Sequence, residues 1–249
     1  MIPNIVHFIY PVTERTRPFS YLNLQAIRRA AHIQRPDRIL FWTNTDDLTA
    51  IDYWSEFASL VEPVLISFPK NDWPQYQSDW ARLQILNDMG GIYMDTDMLL
   101  LEPFRMLDTQ KLVIAWETAE EVSVSNAMMA APPGNAFVAK WLEMLPKALQ
   151  NPTWAYGGVV LPALLAKEPE FKDHVHLLGH KFCCPLDLIA NWMFDPTLKK
   201  EAMERVQGAT AIHAFETYWR DFVRYVTPEW TKSHDCLFSE LTRTMGGTR

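Results

Sequence analysis

Cysteine is scarce in this chain: three residues in 249, two of them adjacent (Cys183, Cys184) and the third at Cys236. An odd count with one adjacent pair gives no disulfide framework, and the pair lacks metal-site spacing, so all three are expected to be reduced and structural. That fits a reducing compartment. No run approaches the ~20 apolar residues that span a bilayer. Met1-Ile2-Pro3-Asn4 leads directly into an apolar strand, not a signal peptide, so a cytoplasmic protein is expected, with peripheral membrane attachment left open. Cations are also short. Lys and Arg number 23 against 30 Asp and Glu, and the net charge of −7 argues against a nucleic-acid partner. Neither a Gly-x-Gly-x-x-Gly turn nor a Walker loop occurs, which removes the dinucleotide and P-loop routes to phosphate. Internal repeats and low-complexity segments are missing too.

What is present is globular: 48% hydrophobic and 21% charged residues, with length enough for one large domain and a sizeable core. The order of elements reads as α/β. Ile2–Tyr10 is a buried strand closed by Pro11, and His7 within it reads as a satisfied core histidine. Ser20–Gln34 is a helix with Leu22, Leu24, Ile27, Ala30 and Ala31 inward and Arg28-Arg29 outward. Arg38–Asn44 and Val64–Phe68 read as strands, with a helix expected within Asp46–Leu60. Further on, Lys111–Trp116, Asn126–Ala131 and Val175–Leu178 read as strands and Asn135–Leu149 as a helix. Alternating strands and helices give a mostly parallel sheet with right-handed crossovers.

The chain is organised around Ser78–Phe104, SDWARLQILNDMGGIYMDTDMLLLEPF. Ser78 has the chemistry of a helix N-cap and Gly90 that of a C-terminal glycine. Asp79 and Arg82 share a face with Leu83 and Leu86, so the charged pair continues an apolar stripe and should look into a cleft. After Gly90-Gly91, Ile92-Tyr93-Met94 is a short buried strand, with Asp95 and Asp97 at its carboxyl end, where α/β sheets bind ligands. Two carboxylates one residue apart cannot both be desolvated without a counter-charge, and a hard divalent cation that also grips phosphate oxygens would supply it. A lone Asp-x-Asp is more often a solvated turn; the flanking apolar runs and the Asp79/Arg82 helix weigh against that here.

Together Ser78, Asp79, Arg82, Leu86, Gly90, Gly91, Tyr93, Asp95 and Asp97 resemble the DXD sugar-binding region of retaining glycosyltransferases. These are the family 32 enzymes of mannosyltransferase and capsule-synthesis type and, more distantly, the clostridial glucosylating toxins. The resemblance implies a GT-A fold, a Rossmann-like nucleotide-sugar-binding architecture. It would be a mixed, mostly parallel sheet flanked by helices, in a single domain over 1–249. Residues 1–110 would form the nucleotide-sugar half, 111–225 the acceptor and metal-completing half, and 226–249 a tail that frays at its end. It also implies that Tyr10 stacks on the donor base, that Ser78 faces the nucleoside, that Asp79 and Arg82 hold sugar hydroxyls, and that Tyr93 packs beneath. Asp95 would reach ribose or sugar and assist the metal, and Asn126 would lie near the transferred sugar. The family closes its catalytic region with His-x4-Ser-Trp; His213 and Trp219 are in register, while Tyr218 replaces the serine. His213 then joins Asp95 and Asp97 as a ligand for Mn²⁺ or Mg²⁺, and Trp219 offers its indole N–H to the distal phosphate. In Tyr156-Gly157-Gly158 the second glycine departs from the family's Gly-Pro turn.

The expected activity is metal-dependent transfer of a hexose, with retention, from a UDP- or GDP-sugar to a hydroxyl of a glycan, lipid-linked saccharide or protein, as in polysaccharide biosynthesis. Two other classes compete. A haloacid-dehalogenase-type phosphatase also uses Asp-x-Asp after a strand, but wants it N-terminal and followed by Thr or Val, where Leu99 stands here. The other is a non-catalytic sugar-nucleotide-binding module.

Overall fold

The computed structural model describes residues 1–70, 73–151, 155–187 and 191–245; the terminal residues 246–249, expected to fray, lie outside them. Nine strands are assigned among the described residues: β1 Ile5–Ile9, β2 Arg38–Thr43, β3 Glu62–Leu65, β4 Gly91–Met94, β5 Met98–Leu100, β6 Leu112–Trp116, β7 Val124–Ala131, β8 Val175–Leu178 and β9 Ala211–His213. The helices are α1 Tyr21–Arg29, α2 Trp54–Phe57, α3 Pro74–Met89, α4 Ala136–Ala148, α5 Leu161–Leu165, α6 Lys199–Arg205, α7 Glu216–Val223, α8 Pro228–Ser233 and α9 Leu237–Met245. Seven strands form one sheet in the order β3-β2-β1-β4-β7-β6-β8, while β5 and β9 pair separately. Neighbours are parallel throughout β3-β2-β1-β4 and at β6-β8, and antiparallel on both sides of β7. The sheet is therefore mixed and mostly parallel.

Helices cover both faces, which is why the central strands are apolar on both sides. Ile92 and Met94 of β4 enter the core shared with α1, α9 and the small sheet, whereas Tyr93 between them enters the core of α3, α4 and α5. This alternation sends Tyr93 toward the α3 face of the sheet. Cys183, Cys184 and Cys236 are free and buried.

Four details depart from the sequence reading. The segment 46–60 is broken into two 3-10 turns flanking the single turn of α2, with Tyr53 in the left-handed region. β3 begins two residues earlier than expected, at the sheet edge where Pro63 removes no needed donor. α3 starts a full turn before Ser78, with Pro74 at its first position and Trp73 as N-cap, so Ser78 lies inside the helix. Arg29 is buried, donating from Nε to the Leu100 carbonyl (2.6 Å) and from Nη1 to that of Leu241 (2.9 Å), and so ties α1 to β5 and α9. Ser20, by contrast, caps α1 in a reciprocal box with Asn23.

His7 is a satisfied core histidine. Its Nε2 lies 2.8 Å from the Gly90 carbonyl, and Trp42 Nε1 donates to Nδ1 at 3.2 Å, which fixes the neutral tautomer. Gly91 (φ +113°) leaves room for that ring, since a Cβ there would stand 2.5 Å from His7 Nε2. Burial drives the His7 pKa from 6.5 to about 4, against the opposing Gly90 hydrogen bond. Between those values the unfolded chain binds the extra proton, so this contribution to stability is complete above about pH 6.5 and is lost as pH falls toward 4. Asp79 moves the other way, raised by burial from 3.8 to about 6, so its contribution is lost as pH rises and the two flatten the wild-type curve. His7→Gln separates them. Relative to that variant, the wild type is expected to gain about 3 kcal/mol between about pH 4 and pH 7, measured by urea unfolding. A pH-independent difference would contradict a buried neutral imidazole.

Candidate active site

The carboxyl end of β4 carries two connected clusters. The first centres on Arg82, 4% exposed, whose donors are all directed into the protein. Nε donates to the Ser78 carbonyl (3.2 Å), Nη1 to the Asn126 carbonyl (2.7 Å) and toward Asp95 Oδ1 (3.3 Å), and Nη2 to Asp79 Oδ1 (3.2 Å). Its guanidinium also lies over the Tyr93 ring, 4.6 Å from the centroid. The Tyr93 hydroxyl donates to Asp95 Oδ1, and Asn126 Nδ2 donates to Asp79 Oδ1 at 2.9 Å. One buried cation thus counter-charges two carboxylates delivered by different elements. Burial still holds Asp79 and Asp95 above ordinary carboxylate pKa values, with Arg82 pulling both back down.

The second cluster is Asp95, Asp97 and His213, with one ligand atom from each lying within 4.8 Å of the others. The β5–β9 pairing sets Met98 opposite His213, which carries the histidine back to the Asp95-Thr96-Asp97 turn. Asp97 Oδ1 lies 3.6 Å from His213 Nε2, and Asp97 Oδ2 accepts from the backbone N–H of Glu216 at 2.9 Å. Burial alone would lower the His213 pKa, but the neighbouring Asp97 carboxylate, with Cys184 beside it, lifts it well above 6.5. Burial would raise Asp97; His213 and the Glu216 N–H outweigh it and hold that carboxylate low. His213 Nδ1 is buried without a hydrogen-bond partner. It is Nε2 that faces Asp97, and an imidazole nitrogen beside two half-buried carboxylates is a donor set that fits a divalent cation of manganese or magnesium type.

The expected site residues thus come together as two groups: Ser78, Asp79, Arg82, Tyr93, Asp95 and Asn126 in one, Asp95, Asp97 and His213 in the other. Tyr10 follows β1 half-buried, edge-on to Phe19, its hydroxyl donating to the Arg17 carbonyl. Trp219 packs from α7 against the α1-side core. Two contributors escaped the sequence reading. Gly158 passes so close to the first cluster that a Cβ would stand 2.6 Å from Asn126 Nδ2 and 3.0 Å from Asp79 Oδ2. Glu216 contributes through its main chain, for which no side-chain pattern exists. An open cleft of about 730 Å³ also lies past the ends of β1, β2 and β3, lined by Val12, Asn44, Phe68, Lys70, Trp73 and Gln77.

The mixed, mostly parallel sheet, with Asp-x-Asp at the end of its fourth strand, has the GT-A fold. Residues 22–114 match the family described as glycosyltransferase sugar-binding region containing DXD motif, which supports a glycosyltransferase. Asn126, His213 and Trp219 lie beyond the matched segment. Glucan organizing enzyme 1 of Cryptococcus neoformans var. grubii is 22% identical over 272 aligned positions, covering all of this chain and 72% of that protein. Among solved structures, PaToxG glycosyltransferase (14% identity, TM-score 0.51) covers 99% of this chain and 86% of its own. The apo form of the glycosyltransferase GlyE of Streptococcus pneumoniae TIGR4 (11% identity, TM-score 0.55) covers 98% of this chain and 64% of its own. No helix among the described residues is long and apolar enough to cross a membrane.

Proposed function

We propose that the chain transfers a hexose from a nucleoside diphosphate sugar to a hydroxyl of a saccharide acceptor, with retention at the anomeric carbon. The observation that carries this reading is the meeting of Asp95, Asp97 and the His213 imidazole beside the Arg82-centred network. Asp95, Asp97 and His213 would hold Mn²⁺ or Mg²⁺, which when bound offsets the charge of the departing diphosphate. Asp79 and Asn126 orient the sugar hydroxyls, with Arg82 and Gly158 fixing where those two groups stand. Tyr10, Ser78 and the cleft beyond β1–β3 receive the nucleoside, where Trp73 offers an aromatic face and Lys70 a cation. Trp219 serves the distal phosphate. Retention comes from the family resemblance, as does the division into a donor half (1–110), a completing half (111–225) and a tail (226–249); that no residue of the sequence identifies itself as a protein nucleophile is consistent with same-face displacement. The glucan in the fungal relative's name supports a polysaccharide acceptor. A cytoplasmic site, with peripheral attachment where the acceptor is membrane-linked, agrees with three reduced cysteines.

The test is a panel of UDP- and GDP-hexoses incubated with Mn²⁺ and assayed for free sugar. Hydrolysis of one donor is expected, falling at least ~100-fold with EDTA and returning with Mn²⁺. Donor-independent release of phosphate from simple esters would instead indicate a phosphatase.

A further inference from the structure

Asn23 occupies the first turn of α1, far from the DXD stretch in sequence, and is 3% exposed. Every polar atom of its side chain is engaged. Oδ1 accepts from the Ser20 backbone N–H at 2.8 Å, which completes the helix cap. The two protons on Nδ2 are divided: one goes to the carbonyl of Thr96 (3.1 Å), the other to Glu216 Oε2 (2.9 Å). Thr96 is the middle residue of Asp95-Thr96-Asp97. Glu216 opens α7, and its own N–H holds Asp97 Oδ2 at 2.9 Å. The backbone between His213 and Glu216 is not relaxed on its own account, because Phe215 sits at φ +49°. A bulky residue in that region persists only when its surroundings hold it. Further back, the Ala214 N–H donates to the Asp97 carbonyl at 3.1 Å.

We infer that Asn23 is a positioning residue for the metal site: one amide NH₂ pins the Asp95–Asp97 turn and the start of α7 at once, and so fixes the spacing of Asp97 and His213. The inference rests on the metal-dependent reading above. An amide is required, because two acceptors, one a carbonyl and one a carboxylate, converge on the same nitrogen. Aspartate has the same shape and keeps the acceptor needed by Ser20, but would set oxygen against oxygen at both contacts. Supporting residues behind metal ligands commonly change metal affinity 10–100-fold.

The experiment is titration of the donor-free protein with Mn²⁺ alone, followed by the electron paramagnetic resonance signal of free Mn²⁺. Asn23→Asp is expected to bind Mn²⁺ about 10–100-fold more weakly than the wild type. Asn23→Ala, which adds no charge and suits a helix, keeps the test available if the aspartate variant does not fold, and should show a weakening of similar size. Asn23→Asp/Glu216→Gln, in which the glutamine amide can donate to the new carboxylate, should recover part of the loss. Ala26→Gly, one turn along and 0% exposed, weakens the same helix without touching the site. It should lose stability and keep its Mn²⁺ affinity. Wild-type affinity in folded Asn23→Asp and Asn23→Ala, or an equal loss in Ala26→Gly, overturns the inference while leaving the functional reading intact. A wild-type protein that binds no Mn²⁺ removes both.

Discussion

Replacing Arg82 by methionine is expected to lower the melting temperature by about 10 °C and to abolish transfer. The side chain is similar in length but uncharged, so Asp79 and Asp95 lose their shared counter-ion in a site where burial already raises both pKa values. Breaking a buried ion pair by removing one member costs about 3–5 kcal/mol, and for a chain of this size each kcal/mol moves the melting temperature by about 2–4 °C. The loss should depend on pH with a definite sign. Carboxylates whose folded pKa is raised contribute fully below their unfolded values near 4 and lose that contribution as pH rises. The variant should therefore stand nearest the wild type in acid and fall furthest behind above neutrality. Arg82→Lys should be nearly as damaging, because one ammonium cannot reach the Ser78 and Asn126 carbonyls and both carboxylates in one plane. Scanning calorimetry from about pH 4.5 to pH 8 decides the matter; a destabilisation that shrank toward alkaline pH would contradict the arrangement.

Asp97→Asn is expected to behave in the opposite way: activity lost, fold kept. The asparagine oxygen can still accept from the Glu216 N–H, so the turn before β5 retains its main-chain anchor. What disappears is the charge beside His213. Donor hydrolysis and transfer should fall at least ~10³-fold, about 4 kcal/mol of transition-state stabilisation. Circular dichroism should stay near wild type, and the urea midpoint should fall only by what the lost Asp97–His213 pair contributed. Turnover close to normal would take Asp97 out of the metal site.

The dense middle of the chain was legible because its chemistry is local. Asp79 and Arg82 lie three apart on α3, Tyr93, Asp95 and Asp97 follow one another on and after β4, and the Gly90-Gly91 break is written in adjacent residues. The start of α3 was misplaced although Pro74 marks it, because Ser78 offered a competing cap signal one turn later. Arg29 was read as exposed since helical spacing alone cannot reveal that its acceptors are carbonyls of Leu100 and Leu241, contributed by distant elements. Gly158 read only as a departure from the family's Gly-Pro turn; its bare Cα is what lets that turn close over Asp79 and Asn126. Neither Asn23 nor the main chain of Glu216 carries any signature, because their importance arises only once α1 and α7 converge on one turn.

The two-stranded pairing of β5 with β9 joins chain segments that flank β6, β7 and β8. An ion bridging Asp97 and His213 would therefore act as a clasp across most of the second half of the protein. Peeling β9 away would destroy the ligand set, so occupancy and resistance to proteolysis after residue 205 should rise and fall together.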